Sequence, residues 1–243
     1  MKKIIYGFVI LLLFCNCRNL LFNAALKSMG AYDDKITLRR FTAESKELVV
    51  FPIIHIATEA QYDDVKKKVD SLSSLGYYFY FENVAVSYSD TTIVLRKFRK
   101  IAKMPIPTKG YMYVIDSVMG KKFDIKLKKK IVNQPPFNKL GLDSLNARNV
   151  DVKMSDLVDF YESKYKPIIL EPCDLNTSIY EESGCKDHRE YPEMTQEILI
   201  DFRNNHVLKE LIREKRSKIA IIYGKDHYKG LKEGLIKMGY TNR

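Results

Sequence analysis

The stretch ELVVFPIIHI, Glu47–Ile56, decides what kind of fold this chain can adopt. It is apolar at nearly every position, which is the pattern of a β-strand buried on both faces in a parallel or mixed sheet. Pro52 lacks the N–H that a strand ladder needs, so we expect a bulge or the end of the strand there. His55 closes the run, and apolar residues then recur at helical spacing from Tyr62 to Leu72. The stretch therefore predicts a buried strand, a histidine at its end and an amphipathic helix.

A second apolar run, IAIIYG at Ile219–Gly224, is also followed by a histidine, His227, and by a helical pattern. The two regions form a weak internal repeat of strand, G-x-x-H turn and helix, in which Pro52 occupies the glycine position of the first copy. The aromatic segment YYFYFENVAV, Tyr77–Val86, predicts a third buried strand. These patterns predict an α/β (α+β) fold with a mixed, mostly parallel central sheet flanked by helices.

The N-terminal residues, MKKIIYGFVILLLFCNC, have the pattern of an export signal. Two lysines precede an apolar run, residues 4–14, that is short for a membrane span. A cysteine directly after such a run is typical of bacterial lipoproteins, with Cys17, or alternatively Cys15, as the lipidated residue. We expect residues 1–17 to be a lipoprotein-type signal peptide and residues 18–243 to form a single domain attached to a membrane in the bacterial cell envelope. An uncleaved anchor and plain secretion are the alternatives.

The chain is basic, with a formal net charge of +11. Much of this charge lies in two segments, Lys121–Lys130 and Arg213–Lys218. A nucleic-acid-binding surface would interleave basic residues with stacking aromatics or show a recognisable module, and neither pattern is visible. We therefore expect a solvated basic face suited to anionic lipid headgroups, and no nucleic-acid partner.

Cys173 and Cys185 are the cysteines that lie outside the signal segment. In an oxidising compartment, two thiols in one short segment favour a disulfide. Zinc ligation together with His188 is the alternative, although two cysteines and one histidine make an incomplete ligand set. Unlinked thiols are a third option.

Three residues carry the candidate chemistry, and each lies at or near the end of a predicted strand. Glu82 follows a run of aromatic residues, where a buried carboxylate is costly unless it is neutral or paired. Ligands of open α/β sheets bind outside the carboxyl ends of the strands, so one pocket can gather Glu82, His55 and His227. Two imidazoles and a carboxylate are a minimal set for a divalent metal ion that activates water. Arg203, on a long helix expected over Tyr191–Lys218, would supply positive charge for a substrate carboxylate or an oxyanion.

The residues also resemble a known family. The segment DFRNNHVLKELIREKRSKIAIIYGKDHYKGLKEGLIKMGY, Asp201–Tyr240, is similar to the C-terminal signature of the TraB/PrgY/GumN family, which includes the TIKI proteins. That signature has an Arg-Asn pair in a helix, a strand, a G-x-x-H turn and a helix ending in Gly-Tyr. The opening stretch resembles the first G-x-x-H turn of the family, and Glu82 in YFE resembles its glutamate. NVDVKMSDL, Asn149–Leu157, resembles a mid-chain family segment.

This resemblance implies a fold like that of the ChaN-like haem-binding and erythromycin-esterase group. It implies that His55, Glu82, Arg203 and His227 form the site, with Asn204 beside Arg203 contacting substrate. TIKI proteins are described as metal-dependent peptidases, so the resemblance implies an exported, lipid-anchored, metal-dependent hydrolase that acts on a peptide or protein. The alternatives are a non-catalytic metal- or haem-binding lipoprotein, or a member that has lost catalysis because proline replaces the first motif glycine.

Overall fold

The computed structural model describes residues 19–86, 92–103, 110–116, 126–181, 183, 185 and 196–242. Eight strands are present in these residues, six of them in one sheet: β1 (Arg39–Ala43), β2 (Lys46–Ile53), β3 (Ile56–Ala57), β4 (Tyr78–Phe81), β5 (Val132–Asn133), β6 (Ala147–Asn149), β7 (Lys218–Gly224) and β8 (Thr241–Asn242). The helices described are α1 (residues 19–29), α2 (Glu59–Ser74), α3 (Thr92–Ala102), α4 (Tyr111–Val114), α5 (Met154–Lys164), α6 (Pro172–Asn176), α7 (Phe202–Arg213) and α8 (Tyr228–Lys237). A π-helical turn, Glu197–Asp201, precedes α7, and 3₁₀ turns span Phe137–Leu140 and Lys225–His227.

The central sheet has the strand order β6-β4-β7-β2-β1-β8, while β3 and β5 form a separate pair. The first four of these strands run parallel to one another, and β1 is antiparallel to both of its neighbours. The predicted fold class, a mixed and mostly parallel sheet flanked by helices, is thus confirmed.

Apolar residues cover both faces of the sheet, as the continuous apolar strands predict. One face packs against α2, whose residues Tyr62, Val65, Val69 and Leu72 are all buried as expected. The other face packs against α7 and α8. Alternate residues of β2 serve the two faces, with Val49 and Phe51 on the α2 side and Leu48 and Val50 on the other. Each fully buried side chain of this size contributes about 1.5–3 kcal/mol to stability, so these two layers hold the strand ends in place.

The register between β2 and β7 corrects the predicted repeat. Ile53, and not Pro52, lies opposite Gly224, because Pro52 pairs with Tyr223. His55 is followed by the short strand β3 before α2 begins, whereas His227 ends a 3₁₀ turn that leads directly into α8. The two histidine turns are therefore offset by one residue and differ in conformation.

Pro52 is accommodated because it lies near the end of its strand. It is the penultimate residue of β2, two residues beyond Val50, which is the last residue of that strand paired with β1. The expectation of a strand end at Pro52 is correct to within one residue.

The long helix expected over Tyr191–Lys218 ends earlier than predicted. α7 stops at Arg213, and Glu214 has an extended backbone (φ −73°, ψ 128°). Two hydrogen bonds to β2 hold the segment between α7 and β7 in this extended path. Lys46 Nζ donates to the Glu214 carbonyl (2.9 Å), and the backbone N–H of Glu47 donates to the Ser217 carbonyl (2.6 Å). Pairing with the sheet thus overrides the local preference for helix.

The predicted signal segment, residues 1–17, including Cys15 and Cys17, lies outside the described residues, as does His188. Among the residues described, no helix combines the length and apolar character needed to cross a membrane.

Candidate active site at the carboxyl edge of the sheet

The four parallel strands bring chemically active residues to one edge of the sheet. Glu82 follows the last residue of β4, and Asp151 lies two residues beyond β6. Gly224 ends β7, and His55 lies two residues beyond β2. Because parallel strands end on the same side, residues that are far apart in the chain meet here.

Glu82 lies at the centre of the site and is buried. Its Oε1 is 3.5 Å from His227 Nε2 and 3.9 Å from His55 Nε2. Its Oε2 accepts a hydrogen bond from the backbone N–H of Gly224. Burial alone would raise the pKa of Glu82, but the hydrogen bond to His227 and the positive charge of Arg203 outweigh it and hold this pKa well below the usual 4.5. The carboxylate is therefore ionised at neutral pH.

Gly224 allows this close approach of carboxylate and backbone. A Cβ atom at position 224 would lie 3.0 Å from Glu82 Oε2, tighter than an ordinary van der Waals contact. Glycine is therefore required at this position of the G-x-x-H motif because a larger residue would crowd the side chain of Glu82.

Arg203 extends from α7 into the site and is held by two carboxylates. Its Nη2 binds Glu82 Oε1, and its Nε and Nη2 donate to Asp151 at 2.9 and 2.6 Å. Its Nη1 donates to the carbonyl of Leu199 at 3.1 Å. Burial lowers the pKa of Arg203, but the hydrogen bond to Asp151 and the charge of Glu82 raise it further than burial lowers it. These contacts use most of the guanidinium N–H donors, and the role of Arg203 in orienting substrate stays a prediction. They make Arg203 a residue that positions Glu82.

His227 is buried and has a defined orientation. Its Nδ1 is 2.8 Å from Asn204 Oδ1, while Asn204 Nδ2 donates to the His227 carbonyl at 3.3 Å. This pair of contacts orients the amide, so Nδ1 carries the proton and Nε2 faces Glu82. Both polar atoms of Asn204 contact His227 in this way, and its contact with substrate stays a prediction. Gly230 makes room for the amide, because a Cβ atom at position 230 would overlap Asn204 Nδ2.

His55 is the more accessible of the two histidines, with 39% of its side chain exposed. Its Nδ1 is 3.1 Å from Gln134 Oε1, and the Gln134 backbone N–H donates to the His55 carbonyl at 2.8 Å. The ring stacks on Tyr111, with centroids 5.0 Å apart and planes 12° apart. Burial and the negative charge of Glu82 raise the pKa of Tyr111. Tyr111 is nevertheless 36% exposed, so the site reaches solvent beside His55 and Tyr111.

The three predicted metal ligands fit a divalent ion in part. The separation of 3.5 Å between His227 Nε2 and Glu82 Oε1 is close to the value of about 3.4 Å for two tetrahedral ligands of zinc, and the 3.9 Å separation to His55 Nε2 is wider. An amide oxygen at each Nδ1 resembles the outer partner that ligating histidines have. Glu82, however, is already bonded to Arg203 and Gly224. Among the described residues, these three side chains are not a group whose ligand atoms all lie within 4.8 Å of one another, so their present spacing is too wide for all three to bind one ion.

A different group of side chains is more compact. Within the described part of the chain, the donor atoms of Glu171, Cys173, Asp174 and Cys185 all lie within 4.8 Å of one another, a spacing suited to a metal. Cys173 and Cys185 form a disulfide, which removes the thiolates that would bind zinc. Asp174 is also paired with buried Lys100 at 2.7 Å. The disulfide favoured from sequence is thus present, and this group is a structural one.

Sequence reasoning did not identify three residues of the edge site. Asp151 stands in NVDVKMSDL without a preceding apolar run, because β6 has only three residues. Gln134 and Tyr111 lie in segments without clear periodicity. The available signal was an aspartate two residues after a strand end, which becomes informative once β6 is known to be parallel to β4.

The site is thus an ionised, arginine-anchored carboxylate with two imidazoles directed at it, open to solvent on one side. The chain matches no protein-family model, no curated protein and no solved structure.

Proposed function

We propose that this protein is an exported, membrane-anchored hydrolase that activates water at the His55–Glu82–His227 site. One observation carries the proposal: the Nε2 atoms of both histidines are directed at the same oxygen of Glu82, at 3.9 and 3.5 Å. A proton on His227 Nε2 gives the hydrogen bond that lowers the pKa of Glu82. When both rings carry a proton on Nδ1 alone, these three atoms are all hydrogen-bond acceptors. The two Nε2 atoms and the Glu82 oxygen therefore need a positive partner or a hydrogen-bond donor between them. A water molecule, a cation or a proton on one of the rings meets this need.

The division of labour follows from exposure. His55 is the accessible histidine, so its Nε2 is the atom that accepts a proton from an attacking water. Glu82 is fixed and ionised, and its charge stabilises the imidazolium that forms on His55. His227 is buried, and its hydrogen bond to Asn204 directs Nε2 toward the same carboxylate. Arg203 and Asp151 keep that carboxylate in place.

A divalent metal ion is the second form of this proposal: His55 and His227 would hold it, and their ring nitrogens would have to move closer together to do so. When bound, the ion would lower the pKa of a water ligand and polarise a carbonyl group. Glu82 and Arg203 would then hold a fixed charge pair beside the ion.

The substrate class and the location rest on other support. Peptide bonds are proposed because the residues resemble the TraB/GumN/TIKI family, and such analogy does not by itself establish a reaction. Export is supported by the apolar N-terminal segment and by the Cys173–Cys185 disulfide, since disulfides persist in oxidising compartments.

The test is hydrolysis of a peptide library by the full chain and three histidine variants. His55→Ala and His227→Ala should each lose about 100-fold or more in rate. His206→Ala is the matched control, because His206 lies on α7 outside the site and is half-buried, and this variant should retain the parent rate. Full activity in both site variants would refute the proposal.

The role of a metal is measured separately. Activity is assayed after treatment with a chelator and after readdition of Zn²⁺, Mn²⁺ or Co²⁺, alongside elemental analysis and an absorbance scan for a haem band. Metal-dependent hydrolysis supports the metal form of the mechanism. A tightly bound metal or chromophore without hydrolysis of any library peptide would favour the alternative, a binding lipoprotein.

A further inference from the structure

Helix α1 and the basic segment Lys126–Lys130 lie side by side and form a surface with both charged and apolar residues. We define the α1 surface as the exposed residues of α1 together with Lys126 and Lys128. Side-chain to backbone hydrogen bonds join the two segments: Asn23 Nδ2 donates to the Lys126 carbonyl (2.8 Å), and the N–H groups of Lys126 and Lys128 donate to Asn19 Oδ1 (2.7 Å) and Asn23 Oδ1 (2.8 Å). Asn23 is buried between them. The basic segment is therefore fixed against the helix.

The packing turns the lysines outward. Leu127 packs against a small apolar cluster that contains Leu26 and Ile131. Lys126 and Lys128, on either side of Leu127, are both exposed.

The α1 surface combines unpaired positive charge with exposed apolar side chains. Lys27, Lys126 and Lys128 are exposed and have no ion-pair partner in the described part of the chain, and α1 contains no acidic residue. Leu20 and Leu21 are 57% and 68% exposed.

The next lysines along the segment are neutralised, which limits the surface. Lys129 pairs with Asp34 at 3.4 Å, and Lys130 pairs with Glu59 at 2.9 Å. Asp33 is also exposed nearby. The attraction to anions therefore comes from Lys27, Lys126 and Lys128.

We propose that the α1 surface docks on a membrane that contains anionic lipids. Apolar side chains that enter the headgroup boundary, next to lysines that contact anionic headgroups, are the two components of interfacial binding. The position in the chain supports this occupant, because the described part of α1 begins two residues after Cys17, the lipidation site expected from the sequence. A polyphosphate partner would use the charges but would leave Leu20 and Leu21 without a role.

The α1 surface is also connected to the candidate active site. Lys225 Nζ donates to the carbonyl of Met29, at the end of α1, at 3.0 Å. Lys225 belongs to the 3₁₀ turn that ends at His227. An α-helix of this length spans about 16 Å, so docking would hold the site close to the membrane surface. This last consequence rests on the proposed function and points to substrates at that surface, whereas the docking itself does not depend on hydrolysis.

The experiment uses the full chain with vesicles of phosphatidylcholine alone or mixed with phosphatidylglycerol. Hydrogen–deuterium exchange is measured in residues 19–29 and 126–131, and in α2 as an internal reference. On the anionic vesicles we expect exchange in the first two segments to slow at least fivefold, with α2 unchanged. In about 1 M salt, where the Debye length is about 3 Å, the protection should fall.

Charge reversal provides the decisive comparison. The double variant Lys126→Glu/Lys128→Glu should lose the protection and bind anionic vesicles at least about tenfold more weakly. Lys67→Glu, an exposed lysine on α2, is the matched control and should behave like the parent chain. Equal protection on both vesicle types, equal loss in the two charge variants, or protection by duplex DNA in place of vesicles would each overturn the proposal. Since the readout needs no substrate, a failed docking surface and a failed hydrolase are distinguished.

Discussion

Replacing Asp151 with asparagine tests whether the arrangement around Glu82 is a built site. The Asp151 side chain is fully buried, and it accepts hydrogen bonds from Arg203 Nε and Nη2 at 2.9 and 2.6 Å. Asparagine has nearly the same shape but no charge. Its amide NH₂ would face the guanidinium N–H groups, so at most one of the two bonds survives.

The magnitude follows from the contacts. A hydrogen bond to a charged group contributes about 1.5–3 kcal/mol, and removing one partner of a buried ion pair costs about 3–5 kcal/mol because the other charge is left uncompensated. Arg203 keeps its contact with Glu82, so the lower end of that range applies. We expect the Asp151→Asn substitution to lower the free energy of unfolding by about 3 kcal/mol.

Urea denaturation followed by circular dichroism measures this change, and Asp63→Asn is the matched control. Asp63 is exposed on α2, so its replacement should change the free energy of unfolding by less than about 0.5 kcal/mol. A loss in Asp151→Asn as small as in the control would refute the reasoning, because the Arg203 pairing would then contribute nothing measurable.

Three further predictions concern Glu82, two glycines of α8 and the disulfide. Because the pKa of Glu82 lies below its usual 4.5, its ionisation stabilises the fold above about pH 4.5, and this stabilisation is lost as the pH falls, at up to about 1.4 kcal/mol per pH unit. In urea denaturation at acid pH, the free energy of unfolding of Glu82→Gln should therefore fall less steeply with pH than that of the parent chain. Parallel curves for the two proteins would contradict this. Gly230→Ala and Gly234→Ala place a Cβ atom against Asn204 and Leu208 respectively, so both should lower the melting temperature, but only Gly230→Ala should shift the NMR signals of the His227 ring. Reducing the disulfide opens a loop with a sequence separation of 12 and should lower the free energy of unfolding by about 3 kcal/mol. Urea denaturation with and without reductant measures this change. Unchanged stability would show that the contacts of Asp174 hold this loop without the disulfide.

Much of the fold could be predicted from local patterns. The continuous apolar runs identified β2, β4 and β7, and the helical spacing from Tyr62 to Leu72 identified α2. These predictions succeed because a buried strand or helix face must be apolar at its own periodicity, so the signal lies within a few neighbouring residues. The short strand β6 carried no such signal.

The candidate site was predicted only in part. His55, Glu82 and His227 meet at one edge, because each follows a parallel strand and the carboxyl ends of parallel strands lie on the same side of the sheet. The contacts that Arg203 makes with Asp151 and Asn204 makes with His227 were not predicted, because these partners come from elements that are far apart in the chain. Local spacing shows that Arg203 lies on a helix, but it does not show that Asp151 receives its guanidinium.

The sequence by itself determined that the chain forms buried parallel strands with polar residues at their ends, because burial imposes a local pattern on the residues that undergo it. Only the tertiary structure decided that β4 lies between β6 and β7, and this order brings Glu82 between Arg203 and the two histidines. The same strand order places the backbone N–H of Gly224 against the carboxylate of Glu82. Strand order and register depend on contacts between distant segments, and these contacts set the charge, orientation and exposure of every group in the site.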